Sequence, residues 1–224
     1  ILALIWMLIP FFNTVLLIKV PIASISDNET VLSPRMLIKQ RIFWIFVLVM
    51  FCAGASEMSV SQWASTFAEQ GLGVDKTVGD LAGPMFFAVL MGTSRTIYGK
   101  YGHKINLDRF MLFSGILCIL SYIIISLSPW PMVSLIGCGI CGLSVGIMWP
   151  GTFSIASSTI KGGQTAMFAY LALAGDLGCM GGPTIVGLIS GHFNDNLKIG
   201  ILLAVIFPAL LITGILAIKR SMKL

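Results

Sequence analysis

The sequence predicts an all-α bundle that crosses a membrane seven times, and three observations predict it. Of the 224 residues, 57% are hydrophobic and only 10% charged, where a soluble domain carries about 25% charged residues. So little polar surface cannot cover a globule in water. The apolar residues gather into seven runs of about 20 residues or more, enough for a helix to cross a hydrocarbon core of about 30 Å. The basic residues collect in the connections on one side.

The first run is 1–20, with Asn13 and Lys19 near its end. The chain opens on Ile1, inside an apolar run, with no basic stretch or small-residue cleavage site ahead of it. That pattern is not a signal peptide, and the expectation is a fragment whose amino-terminal part is missing. The longest connection, 21–41, holds Asp27, Glu29, Pro34, Arg35 and Lys39, a mixture that disfavours a packed element. Further spans are expected at 42–68, 77–98, 109–128, 131–158, 164–191 and 197–218, and a basic tail of Lys219, Arg220 and Lys223 follows.

Charge in the connections sets orientation, because short cytoplasmic loops hold the excess of Lys and Arg. Lys19, Arg35, Lys39 and Arg41 fall on one side, as do Arg95, Lys100, Lys104 and Arg109, then Lys161, then the tail. The other side has only Lys76 and Lys198. This alternation places the carboxyl terminus in the cytoplasm. Trp44, Tyr98 and Tyr101 near the inner boundary and Trp130 near the outer one fit interfacial belts. The net charge of +5 is therefore a loop property and no sign of nucleic-acid binding.

The spans are rich in small residues, including Gly137, Gly139, Gly142 and Gly146 in the fifth and Gly175, Gly178, Gly181, Gly182 and Gly187 in the sixth. Small residues let helix backbones approach closely in lipid. Gly83-Pro84 and Gly182-Pro183 take related places in two segments, a pattern also expected of transporter repeats with bending helices. The five cysteines all lie in apolar runs and read as small buried side chains. Cys138 and Cys141 have metal spacing but no second pair nearby; no metal site and no cofactor is expected.

Two acids lie deep in spans. Glu57 is about 24 Å along a helix from Arg41, and Asp176 about 22–24 Å from Lys161 and His192. An acid at that depth costs about 2.5 kcal/mol or more and marks a functional cavity or partner. Trp149 precedes Pro150, which kinks a helix and can aim the indole at such a cavity. Trp63 follows Glu57 by six residues, off its face, and ranks lower. Arg95 is the one basic residue near a span interior, so an anionic solute has little counter-charge. Acids with aromatics suit a sugar, another polyol or a cation, and a buried carboxyl can exchange a proton. An intramembrane aspartyl protease would need Gly-x-Gly-Asp, but Thr77 and Leu173 stand at the first glycine. A retinal protein would need a lysine midway along the last span. An enzyme is not expected; a receptor or structural membrane protein is the alternative.

The seven spans resemble the carboxyl half of a major facilitator superfamily transporter plus the last helix of its first half. The loop RTIYGKYGHKI, Arg95 to Ile105, resembles the family signature between the second and third helices of a half. Lys100, Gly102 and Lys104 fit it; Arg95 stands at its first Gly and Gly99 at its acid. GASEMSVSQW, Gly54 to Trp63, resembles the matching helix of fucose permease-like sugar/proton symporters. The resemblance implies that 1–20 is the last helix of the amino-terminal half, 21–41 the central cytoplasmic loop and 42–224 the carboxyl-terminal six-helix transport bundle. It implies alternating access about a midplane site, with Glu57, Asp176, Trp149 and Trp63 at the site and Arg95, Lys100, Gly102 and Lys104 as gating loop. The expected partners are a small sugar-like solute, protons, the lipid bilayer of a bacterial inner membrane and the missing amino-terminal half.

Overall fold

The computed structural model describes residues 2–20, 32–102 and 104–221. Residues 21–31, within the expected central loop, His103 and Lys223 lie outside the described residues. The chain divides into two units, Ile1–Val31 and Leu32–Leu224.

In the first unit a single helix, α1 (Leu2–Lys19), carries Pro10 in its interior. Thr14 Oγ1 donates to the Pro10 carbonyl at 2.8 Å, and Met7, Phe11, Leu17 and Ile18 are exposed.

The second unit is wholly helical among its described residues. It contains α2 (Pro34–Ile38), α3 (Arg41–Ser61), α4 (Ala64–Leu72), α5 (Lys76–Tyr101), α6 (Leu107–Leu127), α7 (Pro131–Val145), α8 (Met148–Thr159), α9 (Gln164–His192), α10 (Leu197–Leu203) and α11 (Ile206–Ser221). Polar side chains start several of them. Asp75 accepts from the Val78 amide at 3.0 Å and Asn106 from the Arg109 amide at 3.1 Å, each satisfying an orphan donor of a first turn. Gly73, at φ 62°, ends α4 in the left-handed conformation that costs glycine least.

Five helical tracts are long and apolar enough to cross a bilayer: Arg41–Glu69, Leu107–Leu127, Pro131–Thr159, Thr165–His192 and Leu197–Ser221. The chain is an integral membrane protein by this measure. α5 has 26 residues but falls outside that set, as does the shorter apolar helix Met7–Lys19.

Three expected spans are not single helices. The run 131–158 breaks between α7 and α8, and 197–218 breaks between α10 and α11. Proline lacks the N–H that would bond the carbonyl four residues earlier. Pro150 leaves the Gly146 carbonyl without its helical donor, Pro208 leaves the Ala204 carbonyl only the tighter bond from the Phe207 amide at 3.0 Å, and the breaks fall at those residues. The run 42–68 breaks at Gln62 and Trp63, where Trp63 N bonds Val60 O at 3.1 Å; no proline accounts for it. Pro84 and Pro183, by contrast, lie inside α5 and α9, which run through without a break.

The glycines make the seams. α3 and α9 touch backbone to backbone: a Cβ on Gly54 would meet the Gly175 carbonyl, and one on Gly178 the Phe51 carbonyl. Gly142 and Gly146 do the same for α7 against Phe87 and Met91 of α5. Around these seams Phe43, Phe46, Met50, Met111, Tyr122, Ile147, Met148 and Leu171 form a buried core.

Candidate functional site

Glu57 lies on α3, four residues before its end, and is half-buried. The residue before it is held from another helix: Tyr122, fully buried on α6, donates its hydroxyl to the Ser56 carbonyl at 2.7 Å. Glu57 opens into a cavity of about 470 Å³ lined by Arg95, Trp149, Pro150 and Phe153 as well. One carboxylate, one guanidinium and an aromatic wall thus share one hollow in an apolar bundle.

Trp149 and Pro150 stand in the first turn of α8, just past the break that Pro150 causes. The Trp149 ring packs against the α9 backbone, where a Cβ on Gly175 would collide with it. Its Nε1 is buried without a hydrogen-bond partner. Phe153, one turn on, lies 6.4 Å from Trp149 and 5.5 Å from Phe168 between ring centroids. Arg95 sits within α5, two turns before its end, and its Nε donates to the Gly146 carbonyl at 3.0 Å.

The residues expected at a site are therefore sorted. Glu57 and Trp149 meet. Arg95, grouped with the loop by sequence, stands in a helix and lines the same cavity. Asp176 is exposed on α9, next to Gly175, and is not among the lining residues. Trp63 caps α4 away from the cavity, half-buried, with its Nε1 buried and unpartnered. Lys100 is the last residue but one of α5, with Nζ 5.4 Å from the Tyr101 ring centroid. Gly102 caps the helix, donating to the Tyr98 carbonyl at 2.7 Å, and Lys104 N bonds Tyr101 O at 2.9 Å in the turn beyond. Sequence reasoning missed Phe153, although it lies one helical turn after Trp149, and it missed the partner of Arg95. The signal for that partner was Pro150 itself.

A family model described as Major Facilitator Superfamily matches residues 1–183. The chain belongs to the major facilitator superfamily. This superfamily chain also matches a crystal structure of a peptide transporter, POT, in complex with sulfate, with a TM-score of 0.69, 19% identity, 80% of this chain covered and 38% of that one. A mutant of POT matches in complex with sulfate, at a TM-score of 0.68, 19% identity and coverages of 80% and 37%. The mutant in complex with alafosfalin matches at 0.68, 19%, 80% and 38%. At that identity the likeness speaks to the fold, and this chain spans well under half the length of those transporters. A comparison with curated proteins finds no match.

Proposed function

We propose that this chain is the carboxyl-terminal part of a secondary active transporter that moves a small polar solute by alternating access. Residues 1–20 act as the last helix of the amino-terminal half, 21–41 as the central cytoplasmic loop, and 42–224 as the transport bundle. The observation that carries this reading is the cavity of Glu57, Arg95, Trp149, Pro150 and Phe153. A charged hollow of solute size in a membrane bundle has a cost that a passing solute or ion explains well. Trp149 offers a flat face for a sugar-like ring, Glu57 carries the coupling proton, and the turn of Lys100, Gly102 and Lys104 gates the cytoplasmic side. The exposed carboxylate of Asp176 finds its polar neighbours on the other half of the transporter.

The test is uptake of a labelled hexose into proteoliposomes holding the gene product that carries this chain, with and without an inward proton gradient. Glu57→Gln keeps the shape and removes the titration. Gradient-driven uptake is expected to fall by about tenfold or more, the worth of one charge-assisted hydrogen bond. Unchanged uptake with unchanged response to the gradient would remove Glu57 from the mechanism.

A further inference from the structure

Pro150 has no backbone N–H, so the Gly146 carbonyl four residues earlier loses its helical donor. Another helix supplies one: the Nε of Arg95 on α5 donates to that carbonyl at 3.0 Å. Gly146 is also the carboxyl-terminal cap of α7, so the guanidinium meets the negative end of a helix dipole. That bond uses one of five guanidinium donors. The two terminal amino groups are left, and these are the fork that holds a carboxylate through two parallel hydrogen bonds. Among the described residues, no ion pair closes Arg95 onto Glu57, although both line the cavity.

We propose that Arg95, oriented by the carbonyl that Pro150 leaves open, is the recognition point for a carboxylate on the transported solute. This deepens the carrier reading above and rests on it. The cavity holds one acid and one base of its own. A solute carboxylate on Arg95 leaves Glu57 to meet a single positive charge, brought as an ammonium group of the solute or as a proton. Trp149 and Phe153 form the apolar wall against which a sugar ring or hydrocarbon group lies. A neutral hexose offers the fork only hydroxyl oxygens, which carry no opposite charge and lack the paired acceptor geometry of a carboxylate. Arg95 is the binding residue here, and Pro150 is a positioning residue that acts through it.

The experiment uses two matched pairs of probes on the purified, reconstituted gene product: D-glucuronate against D-glucose, and L-phenylalanine against phenethylamine. Binding is read as a shift in melting temperature with probe concentration, and transport as flux. In at least one pair the carboxylate-bearing member is expected to bind about tenfold tighter or more. The pair that responds separates the two sources of positive charge: glucuronate requires a proton, phenylalanine brings its own ammonium. Arg95→Lys keeps the charge and loses the fork, and it is expected to erase the preference. Pro150→Ala returns an N–H to Gly146 and frees the Nε. It is expected to weaken the carboxylate-bearing member by about three- to tenfold and leave its partner unchanged. In the double variant Pro150→Ala should add nothing to Arg95→Lys, the signature of residues acting as one unit. A Pro150 with a merely structural role would weaken both members of a pair alike. Glucose carried as well as glucuronate, and phenethylamine as well as phenylalanine, with ratios indifferent to Arg95→Lys, would sink the carboxylate assignment and leave the carrier standing. A protein that carries none of the four overturns the assignment too. If that protein also lacks gradient-driven hexose uptake, the carrier reading falls with it.

Discussion

Glu57, Arg95 and Trp149 come from three helices and owe their places to backbone groups nearby. Arg95 is tied to a carbonyl that a proline orphans, Trp149 stands beside the same proline, and Glu57 follows a serine whose carbonyl accepts from Tyr122. The Tyr122 hydroxyl is worth testing alone, because the ring is fully buried and only its oxygen reaches Ser56. Tyr122→Phe should cost about 1 kcal/mol, the usual worth of one buried hydrogen bond within a membrane bundle. A thermal melt in detergent measures it, and a melting temperature equal to that of the parent protein would show the bond to be idle. Because Ser56 adjoins Glu57, the same variant should also weaken uptake.

Helices in this bundle are shaped by two opposite uses of small and cyclic residues. Pro150 and Pro208 break their spans, while Pro84 and Pro183 sit in helices that continue. Glycine marks where backbones touch. At Gly178 an added methyl group would meet the Phe51 backbone carbonyl, which no rotamer change can move aside. Gly178→Ala should destabilise by about 1–3 kcal/mol or more, the cost of overpacking. Gly99, on α5, has nothing within 4 Å of such a methyl, and Gly99→Ala should gain up to about 1 kcal/mol from helix propensity. Chemical denaturation of the two variants side by side checks the contrast. Equal effects would mean that the α3–α9 seam is loose enough to admit a methyl group.

Across the whole molecule, connections that charge assigned to one side do come together. The Leu32 amide bonds the Gly162 carbonyl at 2.9 Å, joining the segment before α2 to the turn that holds Lys161. At the other end Lys198 Nζ donates to the Ser128 carbonyl, and Thr66 and Phe67 share a small cavity with Asp195, Asn196 and Lys198. Within the second unit these contacts gather connections at two places along the helices. Its orientation in the bilayer is a prediction at this scale. Four native cysteines are buried and Cys179 is half-buried; with Cys179 replaced by alanine, His192→Cys should react with a membrane-impermeant maleimide in intact cells. Lys161→Cys should react only after permeabilisation. The reverse pattern would invert the topology, and equal labelling would end it.

The sequence by itself determined the class of the molecule. Apolar runs of bilayer length, acids rare within them and basic residues concentrated in alternate connections are local properties, legible because lipid penalises each buried charge separately. It also picked out Glu57 and Trp149, whose residue types are costly or unusual where they stand. Only the tertiary structure decided which of the candidates face one another. Arg95 reads as the end of a span and the start of a loop until its side chain is seen to line the cavity, and Asp176 reads like Glu57 although it is not among the lining residues. The hydrogen bond from Arg95 depends on a contact between two helices 51 residues apart in sequence. Side-chain periodicity gives no register between separate helices, and that register is what turns a lone arginine into a wall of the cavity.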